Sequence, residues 1–285
     1  MKTYLVDAHV HIMTDSRNRG GIRWARRLMR DFQAPSGETA EELVDHLRAS
    51  GVDYFFNLFY PLQPGESRTI HQWHAQLASS YPELVPFASV HPGDADKTGI
   101  LQEALDELGM AGVKIHPYIQ QFDLLDPRMT PVYSYLEQKG YPLLVHTGFA
   151  RFYGSEPMNS AVDEFLRRYP GLKVVLVHML WPDRDIDGWP DYLDNYPGLY
   201  LDVTNTMVLV RKVPNEENKL RNLAARYSHR MLLGSDFPLG VAYPVARIYE
   251  RAREVFTDQT SLENLCWRTA VNLAGWHRFP RLVRA

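Results

Sequence analysis

The chain of 285 residues is long enough to bury a large core, and its length alone permits one or two domains. Its apolar content of 45% and charged content of 23% are ordinary for a soluble globular protein. The formal net charge of −3 argues against a general nucleic-acid binder, which is normally basic.

The single cysteine, Cys266, excludes an internal disulfide framework and favours a reducing compartment. The N-terminus lacks a basic region followed by an apolar run, so no signal peptide is predicted. No apolar stretch reaches the length of a membrane span. The sequence therefore predicts a cytoplasmic protein that acts on a small-molecule substrate, with no nucleic-acid or membrane partner. The oligomeric state stays open, with a homodimer as the commonest case.

Eight short apolar segments alternate with amphipathic helical patterns along the chain. Their richness in Val, Leu, Ile and Phe is typical of parallel strands buried on both faces. The predicted strands are residues 3–8, 52–59, 84–89, 111–115, 142–146, 173–178, 199–203 and 230–235.

Helical patterns follow these strands. The predicted helices are residues 39–50, 68–81, 100–109, 130–140, 161–169, 191–196, 218–227 and 245–256. Gly51, Gly109 and Gly140 stand at the ends of three of them, where C-caps favour glycine. A last helix is predicted to begin at Thr260, because Thr260 and Glu263 have the spacing of a capping box.

Two folds share this alternation, a closed (β/α)8 barrel and an open doubly wound sheet. No G-x-G-x-x-G follows the first predicted strand and no Walker loop is present, so a nucleotide-binding open sheet loses support. The sequence predicts an α/β protein, a single (β/α)8 TIM-barrel domain over residues 1–285. Residues 12–37 are an insertion after strand 1, and their Arg-rich part is predicted as a solvated basic helix, with a lid or anion-contacting loop as the alternative.

Six of the 11 histidines fall at the C-terminal ends of predicted strands, where barrels form their active sites. They are His9, His11, His91, His116, His146 and His178. Asp236 adds a carboxylate at the same end of strand 8. A scatter of histidines without a function would not favour strand ends so heavily, so the pattern predicts an active site there.

His9 and His11 are two residues apart on a strand and so point to the same face. Two polar rings side by side cost free energy unless something binds them, although exposed or hydrogen-bonded histidines are the alternative. Zn²⁺ and similar divalent ions take imidazole nitrogens and carboxylate oxygens. The candidate ligands of one divalent metal, Zn²⁺ first with Mn²⁺, Fe²⁺, Co²⁺ and Ni²⁺ open, are His9, His11, His146 and Asp236.

The same residue types suggest a mechanism. A metal lowers the pKa of bound water towards 7, which makes a nucleophile available near neutral pH. Asp236 is the candidate to take the proton of that water, besides touching the metal. His178 is the candidate to polarise a substrate carbonyl or to stabilise the developing oxyanion.

The motifs H-x-H after strand 1, LLVHTG, LKVVLVHM and RMLLGSDFP, in this order, resemble the amidohydrolase superfamily. The branch that they resemble is the amidohydrolase-related (amidohydrolase 2) group, which includes aminocarboxymuconate semialdehyde decarboxylase. The resemblance covers nearly the whole chain, down to ENLCWRTAVNLAGW, and it implies a distorted (β/α)8 barrel with an extra C-terminal helix. It also implies metal ligation by His9, His11, His146 and Asp236, with His178 assisting catalysis.

Two features depart from the family's pattern. The strand-6 motif commonly continues with glycine, whereas Leu180 and Trp181 stand here and narrow the expected mouth of the site. Decarboxylating members with an aromatic acid substrate often carry Glu in place of the first histidine, whereas this chain has His9. The second departure favours hydrolysis without excluding decarboxylation.

The candidates for contact with substrate are Lys114, His116, Arg151, Trp181 and Asn205. Lys114 and His116 are two residues apart and share a face of the strand. In binuclear relatives a strand-4 lysine is carboxylated and bridges two metals. The alternative for Lys114 is an ammonium group that pairs with a carboxylate or contacts substrate. Arg151 suits a substrate carboxylate, since a guanidinium pairs bidentately with it. Asn205 follows strand 7, where it is a candidate to bond substrate or a metal ligand.

Three further residues are predicted to be structural. His71 and His74 would share one face of an outer helix without a carboxylate at ligand spacing, so they are interpreted as structural or surface residues. Cys266 lies in an amphipathic pattern and is interpreted as a core residue rather than a nucleophile.

The leading hypothesis is a metal-dependent hydrolase that uses a metal-activated water on a small C–O or C–N bond, such as a lactone, amide or ester. The first alternative is a metal-dependent, non-oxidative decarboxylase of a small carboxylic acid. The second is a non-catalytic barrel whose histidines are structural.

Overall fold

The structure, a computed structural model, describes residues 4–30, 32–241 and 244–282. It consists of two compact units, residues 1–58 together with 203–285, and residues 59–202. We refer to them as unit 1 and unit 2. The single domain predicted over residues 1–285 stays a prediction.

A strand forms within or next to each of the eight predicted segments, and all eight strands are shorter than predicted. The first runs from Val6 to Val10 instead of over residues 3–8, of which residue 3 lies outside the described residues. The strands are β1 (Val6–Val10), β2 (Tyr54–Leu58), β3 (Leu84–Phe87), β4 (Val113–Ile115), β5 (Leu143–His146), β6 (Val174–Val177), β7 (Leu199–Asp202) and β8 (Met231–Leu232).

The predicted helical segments also form, some of them divided or extended by short helical turns. The α-helices are α1 (Asp15–Leu28), α2 (Ala40–Ala49), α3 (Ser67–Ser80), α4 (Lys97–Gln102), α5 (Pro117–Gln120), α6 (Thr130–Lys139), α7 (Asn159–Arg168), α8 (Trp189–Asn195), α9 (Thr206–Leu209), α10 (Glu216–Tyr227), α11 (Ala246–Val255), α12 (Gln259–Glu263) and α13 (Thr269–Ala274). A π-helical turn over residues 264–268 joins α12 to α13.

In unit 1, β1 lies between β2 and the segment that follows β8. Val6 pairs in parallel with Tyr54, and Val10 forms a parallel bridge with Phe237. The backbone N–H of Ala8 donates to the carbonyl of Leu233 at 3.0 Å. The end of β1 and the segment after β8 therefore meet at one edge, which brings residues from the two ends of the chain together.

In unit 2, β4, β5, β6 and β7 are parallel neighbours in chain order. Val113 pairs with Leu143, Leu143 with Val174, and Val174 with Leu199. A parallel bridge between Ala88 and Val113 places the residue after β3 beside β4. Because the strands are parallel, the polar residues at their carboxyl ends line one edge.

The predicted basic helix is present as α1. Its exposed residues include Arg19, Arg23, Arg26 and Arg27, in agreement with a solvated face. The buried Asn18 holds the start of the helix, because its side chain accepts from the N–H of Met13 and donates to the carbonyl of Met13, both at 2.8 Å.

The expected capping box at Thr260 is wrong. α12 begins one residue before Thr260, and its N-cap is Asp258, whose carboxylate accepts from the N–H of Ser261 at 2.8 Å. Aspartate is a strong N-cap, and the hydrogen bonds from Ser261 lower its pKa. The glycines at helix ends behave as predicted: Gly51, Gly109 and Gly140 all have positive φ.

The three residues interpreted as non-catalytic are all buried. His71 accepts a hydrogen bond from the N–H of Ser89 at Nε2, at 3.0 Å. Burial lowers the pKa of His71 to about 4 and that of His74 to about 3. Burial raises the pKa of the Cys266 thiol to about 12. These residues belong to the core, and both histidines are neutral at physiological pH.

Within the described part of the chain, we find no helix with the length and apolar character that crossing a membrane requires.

The buried His71 gives a testable pH dependence. Its folded pKa lies below the unfolded value of 6.5, so the unfolded state binds more protons as the pH falls from 6.5 to about 4. The free energy of unfolding is then lost at up to about 1.4 kcal/mol per pH unit in that window. His71→Gln removes the titration and keeps an acceptor for Ser89.

Urea unfolding at several pH values measures this difference. The fall in unfolding free energy below pH 6.5 should be shallower in His71→Gln than in wild type. Other buried groups titrate in both proteins, so their contribution cancels in the difference. The exposed His229, changed to Gln, is the control. Identical slopes for wild type and His71→Gln would show that His71 does not titrate in this way.

Candidate metal centre

Three side chains with metal-binding atoms converge in unit 1. His9 Nε2 and His11 Nε2 are 2.9 Å apart, and Asp236 Oδ1 lies 3.1 Å from His11 Nε2 and 3.4 Å from His9 Nε2. All three side chains are largely buried. No other group of three or more such residues is present among the described residues.

The spacing of these atoms fits one ion. Ligand atoms about 2.1 Å from a metal are about 3.4 Å apart when the angle between them is tetrahedral, and about 3.0 Å apart at a right angle. The three measured distances, 2.9, 3.1 and 3.4 Å, fall in or next to that interval. Two imidazoles and a carboxylate also form the donor set that a borderline divalent cation prefers.

The tautomer of His11 suits this role. His11 Nδ1 lies 2.6 Å from the carbonyl oxygen of Leu58, which can only accept, so Nδ1 carries the proton. The lone pair of the neutral ring is then on Nε2, the atom that faces His9 and Asp236. A backbone carbonyl behind the ring is the usual way in which proteins orient a metal-binding histidine.

The backbone around these residues connects β1 to the segment after β8. The N–H of Asp236 donates to the carbonyl of His9 at 2.8 Å, and the N–H of His11 donates to the carbonyl of Phe237 at 2.7 Å. Asp7 Oδ1 accepts from the N–H groups of both His9 and Ser235, at 3.1 and 2.9 Å. Burial raises the pKa of Asp7 to about 7, although these hydrogen bonds oppose the shift.

Gly234 makes this approach sterically feasible. A Cβ at this position would clash with His9 Cβ and would lie 2.6 Å from the backbone nitrogen of His9. Any side chain would therefore push the segment after β8 away from β1, and Asp236 with it. The sequence analysis did not single out Gly234, although a glycine two residues before the candidate ligand, in LLGSD, is a signal of close backbone approach.

Asp236 itself has a φ of +60°, a region that residues with a side chain seldom adopt. Its Oδ1 faces the two histidines, and its Oδ2 accepts a hydrogen bond from Asn205 Nδ2 at 2.7 Å. The structure thus places Asn205, a candidate for substrate contact, directly against a candidate ligand.

Unit 2 brings together the histidines that end β4, β5 and β6. The His116 and His146 rings are stacked, with centroids 3.7 Å apart and planes 12° apart. His178 meets His146 edge-on at 4.7 Å. Tyr118 and Tyr153 stack on each other at 5.1 Å, and both stand nearly perpendicular to His146. The candidate ligand His146 is therefore enclosed by aromatic rings.

The turn after β6 has an unusual backbone. His178, Met179 and Leu180 all have positive φ, a conformation that costs free energy at residues other than glycine. The Thr147 hydroxyl holds the turn, since it donates to the carbonyl of Val177 at 2.5 Å and accepts from the N–H of Leu180 at 3.2 Å. Such strain is typical of functional positions.

The remaining predicted site residues differ in exposure. Lys114 is fully buried on β4. His116 caps α5, where its Nδ1 accepts from the N–H of Ile119 at 3.3 Å. Trp181 is buried and packs edge-on against Phe149. Arg151 is exposed.

The family model for amidohydrolases (Amidohydro_2) matches residues 6–273. The chain belongs to the amidohydrolase family. The match confirms the resemblance read from the sequence motifs, and it supports an enzyme without distinguishing hydrolysis from decarboxylation. No curated protein matches this amidohydrolase at a significant level.

Solved structures show the fold of this amidohydrolase. An uncharacterised TIM-barrel protein from Bordetella bronchiseptica matches with a TM-score of 0.73 and 20% identity, over 98% of this chain and 100% of that one. A 5-carboxyvanillate decarboxylase from Novosphingobium aromaticivorans, complexed with manganese and a nitrobenzoic acid, matches with a TM-score of 0.65 and 13% identity, over 95% of each chain. A probable 2-pyrone-4,6-dicarboxylic acid hydrolase from Acinetobacter baumannii matches with a TM-score of 0.59 and 14% identity, over 94% and 98%.

These matches confirm the α/β class and the (β/α)8 barrel fold that the strand–helix alternation predicted. At such low identity, these matches are evidence for the fold and not for a shared function.

The role of Gly234 is testable with a pair of glycine variants. Gly234→Ala should lower the free energy of unfolding by about 1–3 kcal/mol, because the new methyl group overpacks a fixed backbone contact. It should also reduce the metal content of the purified amidohydrolase, since the ligands from β1 and the segment after β8 move apart.

Gly20→Ala is the matched control. A Cβ at Gly20, within α1, meets nothing within 4 Å, so the change should be neutral or stabilising by up to about 1 kcal/mol. Chemical denaturation and elemental analysis measure both quantities. Equal behaviour of the two variants would contradict the close approach at Gly234.

Proposed function

We propose that this chain is a metal-dependent hydrolase that acts on a small C–O or C–N bond in a lactone, amide or ester. The observation that carries the proposal is the convergence of His9 Nε2, His11 Nε2 and Asp236 Oδ1 in a largely buried position. Two imidazole nitrogens and a carboxylate oxygen are the donor set that a divalent cation of the zinc type prefers, and their spacing suits a single ion.

A bound divalent metal supplies acidification of a water molecule and polarisation of a carbonyl oxygen. We take Zn²⁺ as the first candidate from its preference for this donor set, and Mn²⁺ as the second because a structurally similar decarboxylase was solved with manganese. Fe²⁺, Co²⁺ and Ni²⁺ also suit the ligands.

In the proposed hydrolysis, Asp236 takes the proton that the attacking water loses. Asn205 occupies one lone pair of Asp236 Oδ2, and a carboxylate oxygen has a second one for that proton. The water oxygen bonds to the acyl carbon, the C–O or C–N bond breaks, and the proton passes to the leaving group. The proposal also keeps two roles predicted from the sequence. His146 is a further metal ligand, and His178 stabilises the oxyanion.

Decarboxylation is the second candidate. It is favoured by the aromatic rings around His146 and His178 in unit 2, among them Tyr118, Tyr153 and Phe149. Such surroundings suit a planar, unsaturated acid, and the similar decarboxylase was solved with a nitrobenzoic acid. In that reaction, the bond between the substrate carbon and the carboxylate carbon breaks, CO₂ leaves, and the electron pair left on the substrate carbon takes a proton from Asp236 or His178.

Metal content is the first test. Elemental analysis of protein purified without chelators should give about one transition metal ion per chain, and the double variant His9→Ala, His11→Ala should give almost none. The double variant His71→Ala, His74→Ala removes two buried histidines from a position outside this cluster and serves as control. Its metal content should match that of wild type. A metal-free wild type, even after reconstitution, would overturn the proposal.

A labelling experiment distinguishes the two reactions. The metal-loaded protein is incubated in ¹⁸O-labelled water with 2-pyrone-4,6-dicarboxylate, simple lactones and esters, or 5-carboxyvanillate. Hydrolysis places one ¹⁸O atom in the product, whereas decarboxylation releases CO₂ and leaves no ¹⁸O in the organic product. Mass spectrometry measures both.

For the reaction that is found, His178→Asn should lower kcat by about 10²–10⁴-fold, as expected when a group that stabilises charge or moves a proton is removed. Full activity in this variant would exclude His178 from the mechanism. No turnover of any substrate by metal-loaded wild type would favour a non-catalytic barrel.

A further inference from the structure

We infer that Asn205 is a positioning residue that makes Asp236 a ligand through one oxygen only, by holding Oδ2 so that Oδ1 alone faces His9 and His11. The inference rests on the proposed metal site. Of the two roles that the sequence left open for Asn205, it takes the bond to a metal ligand rather than contact with substrate, and it adds what that bond does to the ligand.

The backbone at Asn205 is a tight and costly turn. Its φ is +60° and its ψ is −44°, and the N–H of Thr206 donates to the carbonyl of Thr204 at 2.7 Å. A hydrogen bond across a single residue with this φ is a γ-turn of the rare, strained type. A residue other than glycine persists there only when its surroundings hold it, and such positions cluster at functional sites.

The side chain supplies that reason. Asn205 Nδ2 donates to Asp236 Oδ2 at 2.7 Å, and Asn205 Oδ1 accepts from the N–H of Val241 at 3.1 Å. Both ends of the amide are therefore used within unit 1. Asparagine suits this position because it carries a donor and an acceptor on a short side chain, whereas aspartate has no donor and glutamine is longer.

The two bonds tie Asp236 to the loop that follows it. The N–H of Leu239 donates to the carbonyl of Asp236 at 2.8 Å, and a Cβ at Gly240 would clash with the carbonyl oxygen of Ser235. The loop from Ser235 to Val241 thus folds back tightly on itself, and the Asn205 amide bridges its two ends. This fixes the torsion of the Asp236 carboxylate.

The consequence concerns metal binding. A carboxylate without this restraint rotates, or offers both oxygens to a cation. With Oδ2 bonded to Asn205, the carboxylate is preorganised with Oδ1 beside the two Nε2 atoms. Groups that orient metal ligands in this way typically contribute 10- to 100-fold to metal affinity.

The experiment compares Asn205→Gly and Asn205→Asp with wild type. Glycine adopts positive φ without strain, so the turn is kept while the amide is lost. Aspartate keeps the size of the side chain and the acceptor for Val241, but it replaces the donor with a carboxylate oxygen 2.7 Å from Asp236 Oδ2, which repels it. The control is Asn215→Gly, at an exposed residue with a φ of +68°.

The readouts are Co²⁺ affinity by competition with a chelator, the visible absorption spectrum of the Co²⁺ protein, and the melting temperature without metal. Asn205→Gly should keep the melting temperature within a few degrees and lose about 10- to 100-fold in Co²⁺ affinity, with an altered spectrum. Asn205→Asp should lose more Co²⁺ affinity than Asn205→Gly. Asn215→Gly should match wild type in Co²⁺ affinity and spectrum.

If Asn205 were purely structural, Asn205→Gly would lose more Co²⁺ affinity than Asn205→Asp. The aspartate variant is closer to wild type in shape and keeps the bond to Val241. That order, or wild-type Co²⁺ affinity in Asn205→Gly, would overturn the inference and leave the proposed metal site standing. If wild type itself binds no Co²⁺, both the proposed function and this inference fail.

Discussion

The candidate site depends on the close approach of β1 to the segment after β8. Gly234 lies against His9 at a distance that leaves no room for a Cβ, and the N–H of Asp236 donates to the carbonyl of His9. This contact joins residues more than 220 positions apart in the sequence. Because backbone hydrogen bonds join the two segments, they fix the positions from which the side chains of His9 and Asp236 start. His11 and Asp236 lie just beyond the ends of β1 and β8, and these backbone hydrogen bonds hold them in place there.

Buried polar groups around this contact are paired with the backbone. The side-chain amide of Asn57 accepts from the N–H of Ile12 and donates to the carbonyl of Ile12, both at 2.8 Å, and Asn18 does the same for Met13. The chain that leaves His11 is thereby held at two successive residues. An unpaired buried backbone group costs about 1–3 kcal/mol, so these asparagines stabilise the irregular segment that follows the H-x-H pair.

The two units contribute different chemistry. Unit 1 holds the two histidines and the carboxylate that suit a cation, with Asn205 and Leu58 behind them. Unit 2 holds His116, His146 and His178 among tyrosine and phenylalanine rings. The first set is compatible with either reaction of the proposed pair, because both use polarisation of an oxygen. The choice between hydrolysis and decarboxylation depends instead on whether water or only the substrate reaches the reacting carbon.

Apolar patterning and residue type are local properties, so they were enough to predict eight strands, the barrel fold and histidines near strand ends, though not the bounds of each strand. The sequence also predicted His9, His11, His146 and Asp236 as ligands of one metal, and the structure brings His9, His11 and Asp236 together in unit 1, whereas His146 lies in unit 2. The tertiary structure was needed to show that Gly234 lies against His9, that Asn205 bonds Asp236, and that Asp258 rather than Thr260 caps α12. The first two are contacts between segments distant in sequence. The third is a competition between neighbouring caps, and neither kind of outcome is encoded in the spacing of residues along the chain.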